Sequence, residues 1–185
     1  DWIIDSRPNP NPPGTVYDYS NVNFVFAGRI IEKITGKSYI NYIKEDIMAP
    51  IGGTQTDISG KTEAEQKPNE VKYYGQGNDA PFVYTIAFPR RDADGGLMTT
   101  ASDLIRLVNA IDGSSTRPDI LNSASLTQLT TPSAAFNGYA CGIGLWSAEN
   151  IWFNYGSLPG TRTAFMRNAN GMCAVLLLNS RVDPS

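Results

Sequence analysis

Residues 139–178, YACGIGLWSAENIWFNYGSLPGTRTAFMRNANGMCAVLLL, decide the fold class. Apolar positions recur here with a period of two, the repeat that sends alternate side chains to opposite faces of a strand. Segments 139–146, 161–167 and 172–178 carry that repeat and are expected as strands. Asn170-Gly171 between the last two is a hairpin signal of the type in which both central positions take positive φ. Between the first two lies Asn154-Tyr155-Gly156-Ser157-Leu158-Pro159-Gly160. One reading of it is a glycine–proline hairpin loop. The other is an edge on which Gly156 lets a ligand approach the backbone and the Ser157 N–H points at a developing oxyanion.

Upstream of residue 138 the period is helical. Phe24, Ala27, Ile30, Ile31 and Ile34 recur at three- and four-residue spacing, and Gly36 closes that helix. Ser38 is placed to cap a second helix with Tyr39, Tyr42, Ile43 and Ile47 as its stripe, and Pro50 stops it. Residues 5–14 read as loop, and 52–96 as a long surface excursion with little regular structure. A third helix is expected after Thr100, with Asp103 at the reciprocal capping spacing. Its inner face is Leu104, Leu107, Val108 and Ile111, and Gly113 ends it; a short fourth covers 123–129. Helices over 15–135 followed by antiparallel strands over 138–180 make one α+β domain across 1–185. No βαβ repeat suggests a doubly wound sheet. Three strands are few to cover a helical layer, so the sheet is expected to lack strands that another segment supplies. A complete small domain is the alternative.

Composition narrows the chemistry. The 185 residues are 41% hydrophobic, enough for one domain with a core. Fifteen basic and 18 acidic residues give a net charge of −3 with no basic block, which disfavours nucleic acid as a partner. The longest wholly apolar run, 172–178, is too short to cross a membrane as a helix. The opening DWIIDSRPNPNPPG has neither Met nor the pattern of a signal peptide, and reads as the start of a processed or excised piece. Cys141 and Cys173 read as core thiols rather than a bridge, and Trp2, Trp146 and Trp152 as packing residues. There is no histidine, which removes Ser-His-Asp and Cys-His mechanisms and the usual zinc sites from this chain. Catalysis here must use Tyr, Lys, Ser or a carboxylate.

Tyr19-Ser20-Asn21, just ahead of the first helix, holds a phenol and an amide two residues apart. A nearby cation would lower a tyrosine from its usual pKa of about 10 and make it a usable base. The plainer reading is a packed Tyr beside a Ser or Asn helix cap.

Taken in order, 12–43 (PPGTVYDYSNVNFVFAGRIIEKITGKSYINYI), 47–52 (IMAPIG), 92–111 (DADGGLMTTASDLIRLVNAI) and 155–171 (YGSLPGTRTAFMRNANG) resemble the serine β-lactamase and penicillin-binding-protein family. The likeness is to the branch of class C β-lactamases, D-aminopeptidases and related esterases. It implies a β-lactamase/transpeptidase-like fold and acyl-enzyme chemistry on β-lactams, D-amino-acid peptides or small esters. No metal or organic cofactor is implied, and many such relatives act outside the cytoplasm. In this family the Ser of a Ser-x-x-Lys motif attacks the carbonyl. The resemblance gives Tyr19 a part in proton transfer and Asn21 one in orienting substrate. It places Asn154-Tyr155-Gly156 where the family has Lys/His-x-Gly, with Asn154 and Gly156 as substrate contacts. It gives Ser157 the N–H that completes the oxyanion hole.

Two departures qualify that picture. No Ser-x-x-Lys occurs: the residues three before Lys33, Lys37, Lys44, Lys61, Lys67 and Lys72 are Ile30, Ile34, Asn41, Ile58, Ala64 and Asn69. The family carries this motif well upstream of the Tyr motif. The chain is therefore expected to be a central and C-terminal piece that is inactive alone. Its partner would be the upstream segment, covalent or as a second chain, with self-association through an open strand edge as the substitute. Asn154 also cannot be charged, which forfeits a charge-assisted hydrogen bond of about 1.5–3 kcal/mol. That loss keeps open a catalytically silent binding module that retains the cleft. Arg162, just past Gly160 on a strand near the cleft, is expected in a surface ion pair, the alternative being a substitute for the missing positive charge, and Arg90–Asp94 is expected as a solvated or loop-anchoring segment.

Overall fold

The structure, a computed structural model, describes residues 11–60 and 62–182; Trp2 and most of the 5–14 loop lie outside them. Helix α1 spans Asn21–Thr35 and ends at Gly36, whose φ of 72° only glycine adopts readily. Ser38 then caps α2, Tyr39–Tyr42, by accepting the Asn41 N–H, and the helix widens into a π turn over Ile43–Met48. The excursion beyond Pro50 has no long element but is broken by short 3-10 turns at Glu63–Glu65, Gly77–Phe82 and Phe88–Arg90. Its ends meet in a short ladder, β1 (Asp57–Ile58) against β2 (Leu97–Met98). Within it the Arg90–Asp94 segment is loop-anchoring: Asp92 is buried and takes Arg29 of α1 at 2.5 Å, and Arg91 holds Asp94. Gly28 permits this docking, because a Cβ there would stand 2.5 Å from that of Ala93.

Helix α3, Ala101–Asn109, starts as expected, with the Thr100 side chain accepting the Asp103 N–H. The reciprocal half of the capping box does not form. The Asp103 carboxylate instead accepts the Thr54 and Gln55 N–H groups at 2.9 and 2.8 Å and Arg106 at 2.6 Å. Only 1% of Asp103 is exposed, and burial would raise its pKa. Those donors outweigh the burial and hold it below the ordinary carboxylate value. The helix also ends at Asn109, four residues before Gly113, since residues 110–113 turn toward Asp119. Helix α4 is Ser123–Thr130, capped by Asn122.

The sheet has four strands rather than three, in the order β3 (Gly144–Trp146), β4 (Ile151–Leu158), β5 (Thr161–Arg167), β6 (Cys173–Leu178), all antiparallel. The first expected strand shrinks to three residues, because Ala140 and Gly142 close a tight turn onto Ile143 and Ala140. The β5–β6 turn also differs from expectation. Gly171 has φ 79° but Asn170 does not take positive φ, and Asn168 accepts from the Asn170 and Met172 N–H groups. The turn is thus a Gly-closed loop over 168–172, built on the Asn168 side chain.

Ile143, Leu145 and Trp152 form the core, with Leu129 and Ala140 against them. Arg167 lies over Trp152 at 4.9 Å and reaches Asp112 at 3.4 Å. The inner sheet face, with Cys173, Val175 and Leu177 half-buried, packs toward α3. The outer face leaves Tyr155, Met166, Leu176 and Leu178 exposed. Helix α1 likewise leaves part of its stripe bare: Phe24 and Ile31 are half-buried, whereas Ala27, Ile30 and Ile34 (78%) are exposed. Bare apolar faces of this kind count against a complete small domain. Two burial expectations fail locally. Cys141 is exposed because the turn at 140–143 points it outward, and Trp146 is exposed at the end of β3, stacked on Phe153 at 4.9 Å.

Candidate active site

Strand β4 carries the candidate residues, and its pairing decides which of their backbone groups are available. The two-residue turn Pro159-Gly160 makes Leu158 and Thr161 a closing pair. In a hairpin this tight, that pair must exchange both hydrogen bonds, and bonding then alternates along the ladder. Gly156 and Asn154 therefore bond to β5, while the N–H and C=O of Ser157 and Tyr155 point away from it. On that other side β3 covers only Ile151–Phe153. Residues 154–158 are an open edge. The segment is a strand rather than a glycine–proline loop, with Asn-Tyr-Gly in its middle.

Asn154 is half-buried and engaged at both its amide nitrogen and its amide oxygen. Its Nδ2 donates to the Gly142 carbonyl at 2.7 Å, and its Oδ1 accepts the Tyr155 N–H at 2.7 Å. The side chain ties the 140–143 turn to the edge instead of projecting into solvent. Gly156 faces inward, where a Cβ would meet Thr163 Oγ1 at 2.7 Å. Ser157 is exposed, and its Oγ accepts from Arg181 Nη1 at 2.9 Å. Its N–H is the edge donor nearest the hairpin.

Tyr19 and Asn21 lie at the same rim. Ser20 is extended, the ordinary state of a residue entering a helix, and makes no side-chain cap bond. Tyr19 is 54% exposed and donates to Asn21 Oδ1 at 3.2 Å. Its ring packs on Phe24 at 5.8 Å and edge-on to Tyr139 at 6.1 Å. A Cβ on Gly142, whose carbonyl holds Asn154, would stand 3.8 Å from Phe24. Tyr19–Asn21 and Asn154–Ser157 are thus joined through Phe24 and Gly142. Tyr17 stacks on Phe136 at 4.5 Å, and its pKa is raised by burial and then by the nearby Tyr19 and Tyr155 hydroxyls. Burial, with Tyr19 and Tyr17 adding to it, pushes Tyr139 up to about 12. Among the described residues, the ring and hydrogen-bond partners of Tyr19 are all neutral.

Sequence reasoning does not find Tyr155, Gly142 and Arg181 as rim residues. Tyr155 has a signal, since it is the middle residue of the Asn-Tyr-Gly triplet. Arg181 has none, being an isolated cation three residues past a strand. Arg162 is exposed and, among the described residues, forms no ion pair, contrary to expectation, because the residues opposite it are Ser157 and Leu178. Among the described residues no cluster of His, Cys, Asp or Glu is placed to hold a metal ion.

A family model described as Beta-lactamase matches residues 3–185. Penicillin-binding protein 4* of Bacillus subtilis (strain 168) is 24% identical over 92% of this chain and 41% of its own length. Protein flp of Staphylococcus aureus (strain NCTC 8325 / PS 47) is 27% identical over 93% of this chain and 35% of its own length. Among solved structures, the penicillin binding protein from Bacillus halodurans superposes with a TM-score of 0.78 at 19% identity, over 96% of this chain and 55% of that one. The D-amino acid amidase from Ochrobactrum anthropi SV3, complexed with D-phenylalanine, gives 0.69 at 25%, over 91% and 56%. The chain spans about two-fifths of the curated relatives and about half of the solved ones.

Proposed function

The chain belongs to the β-lactamase family, and on that premise we propose that it supplies the carbonyl-aligning edge and the Tyr-x-Asn wall of a serine acyl-hydrolase. The nucleophile would come from a Ser-x-x-Lys segment outside these 185 residues. The observation that carries this reading is the Ser157 N–H, turned outward on an open edge beside the rim that holds Tyr19 and Asn21. A substrate carbonyl set against that edge meets the Ser157 N–H on one side and the nucleophile's own N–H on the other, which is an oxyanion hole. Attack forms the acyl-enzyme, and water then hydrolyses it. Tyr19 passes the nucleophile's proton to the leaving group. It becomes competent once the lysine of the incoming segment lies beside its hydroxyl, since its present partners are neutral. Asn21 accepts from Tyr19 through Oδ1, which leaves its NH₂ to donate to a substrate carbonyl. Gly156 keeps the strand free of a side chain where the substrate lies. Substrates are β-lactams, D-amino-acid peptides or small esters.

A second reading, a binding module without catalysis, draws on Asn154. Its amide ties two backbone groups inside the fold, and it brings no charge to the position that is Lys or His in the family. Nitrocefin, penicillin and 4-nitrophenyl esters, offered to the full gene product and to the isolated 185-residue chain, separate the two. The hydrolase reading expects turnover by the full product and none by the chain alone. Reversible binding without turnover by the full product would favour the binding module.

A further inference from the structure

Four steps in the sequence join an Asn or Asp to a following glycine: Asp94-Gly95, Asp112-Gly113, Asn137-Gly138 and Asn170-Gly171. At such a step the glycine nitrogen can attack the preceding side-chain carbonyl, and glycine, with no Cβ, leaves that approach open. The fold hinders three of the four, because the attacking nitrogen is already engaged as a donor. Gly95 donates to the Arg91 carbonyl at 3.0 Å, Gly113 to Asp119 Oδ2 at 2.9 Å and Gly171 to the Asn168 carbonyl at 3.0 Å. Arginines also hold the side chains of Asp94 and Asp112, and Asn168 Oδ1 accepts the Asn170 N–H. Asn137-Gly138 differs. Among the described residues neither the Gly138 N–H nor the Asn137 side-chain amide has a hydrogen-bond partner, and Asn137 is exposed.

This step lies in the wall of the candidate site. Phe136 before it stacks on Tyr17 at 4.5 Å, and Tyr139 after it meets Tyr19 edge-on at 6.1 Å. The carbonyls between those rings are tied: Ser147 Oγ donates to that of Asn137 at 3.3 Å, and the Leu145 N–H to that of Gly138 at 2.8 Å. We propose that Asn137 is a deamidation site, at which the protein converts itself with time and loosens the ring cluster around Tyr19. The Gly138 nitrogen bonds to Asn137 Cγ, the Cγ–Nδ2 bond breaks, and ammonia leaves with the proton from the Gly138 N–H, giving a succinimide. Water then opens either carbonyl–nitrogen bond of that ring. One route gives aspartate; the other gives isoaspartate, whose main chain runs through Cβ and Cγ and is one methylene longer. Water is the only co-reactant. Because the flanking groups are tied, the added length displaces Phe136, Tyr139 or the Leu145 bond. Either product also sets a negative charge beside the tyrosine cluster, which opposes phenolate formation there. The consequence for activity rests on the hydrolase reading; the modification itself does not.

The test warms the full gene product at mildly alkaline pH and follows each Asn by peptide mapping, with isoaspartyl methyltransferase labelling to score isoaspartate. The expected result is conversion of Asn137 several-fold to about tenfold faster than Asn170, the factor that freeing one N–H is worth. Nitrocefin turnover falls in step with the fraction converted at Asn137. Asn137→Gln, whose longer side chain closes the ring far more slowly, starts at wild-type activity and keeps it. Asn170→Gln loses activity as the wild type does. If the fresh product turns over no substrate, the hydrolase reading fails, while the map still decides the modification and near-ultraviolet circular dichroism of the tyrosines reads the loosening. Asn170 converting as fast as Asn137, or a loss of activity undiminished in Asn137→Gln, overturns the proposal.

Discussion

Asn154→Asp exchanges one NH₂ for an oxygen and thereby tests whether the residue at the family's cationic position acts as an internal tie. In the fold Nδ2 donates to the Gly142 carbonyl and Oδ1 accepts the Tyr155 N–H, each at 2.7 Å. An aspartate keeps the acceptor but turns an ionised oxygen onto a carbonyl oxygen. Losing the bond and leaving the Gly142 carbonyl facing that charge costs about 1–3 kcal/mol. Partial exposure of the site keeps the cost in the lower half of that range. The turn being held is next to Ile143, which is buried in the core, so the cost registers in global unfolding. The sign of the pH dependence is fixed as well. The fold disfavours the ionised form of the new carboxyl, so its folded pKa lies above the unfolded value of about 3.9. The penalty is therefore present at neutral pH and relieved as pH falls through that folded pKa, because the protonated acid can again donate to Gly142. Urea unfolding followed by tryptophan fluorescence at about pH 7 and about pH 4.5 measures both stabilities. A variant as stable as wild type at pH 7, or a deficit that does not shrink on acidification, would refute the tie.

Asp103→Asn retains an acceptor for the Thr54 and Gln55 N–H groups but sets an NH₂ against Arg106; a loss of about 1.5–3 kcal/mol is expected in urea, and Asp103→Ala should cost more, about 3–5 kcal/mol. Because the folded pKa of Asp103 is lowered, its contribution is present above about 3.9 and is lost as pH falls through the folded value, so wild type and Asp103→Asn should converge in acid. Tyr73 and Tyr139 are raised by burial to about 12, so their contribution is whole below about 10 and lost as pH rises toward 12; ultraviolet titration should show late-ionising tyrosines, these two among them, or unfolding in that range. Ile30→Glu with Ile34→Glu should leave the isolated chain's stability within about 0.5 kcal/mol while reducing its self-association in light scattering, because both side chains are exposed.

How far the sequence discloses this arrangement depends on whether local rules and tertiary packing agree. Residues 161–167 are legible as strand because their alternation is unbroken, and α1 ends where Gly36 requires. Strand β4 is hidden because Asn154 and Gly156 are poor strand formers, and what keeps them extended is the seven-residue ladder to β5. The expected capping box at Asp103 fails for a reason no local pattern holds: the carboxylate is taken by backbone donors 48 and 49 residues away. The candidate site divides in the same way. Tyr19, Asn21, Gly156 and Ser157 can be named from motif order, whereas the use of Asn154 as a tie and the Arg181 hydrogen bond to Ser157 arise only when the turn at 140–143 and the segment after β6 are folded back.

The most direct test of the central claim is intact-mass analysis of the full gene product after incubation with penicillin, followed by peptide mapping. The predicted result is one covalent acyl adduct on a serine outside these 185 residues, decreased by Tyr19→Phe, with the isolated chain unmodified under the same conditions. An adduct mapped to a serine of this chain, or a full product that never acquires one, would contradict the account.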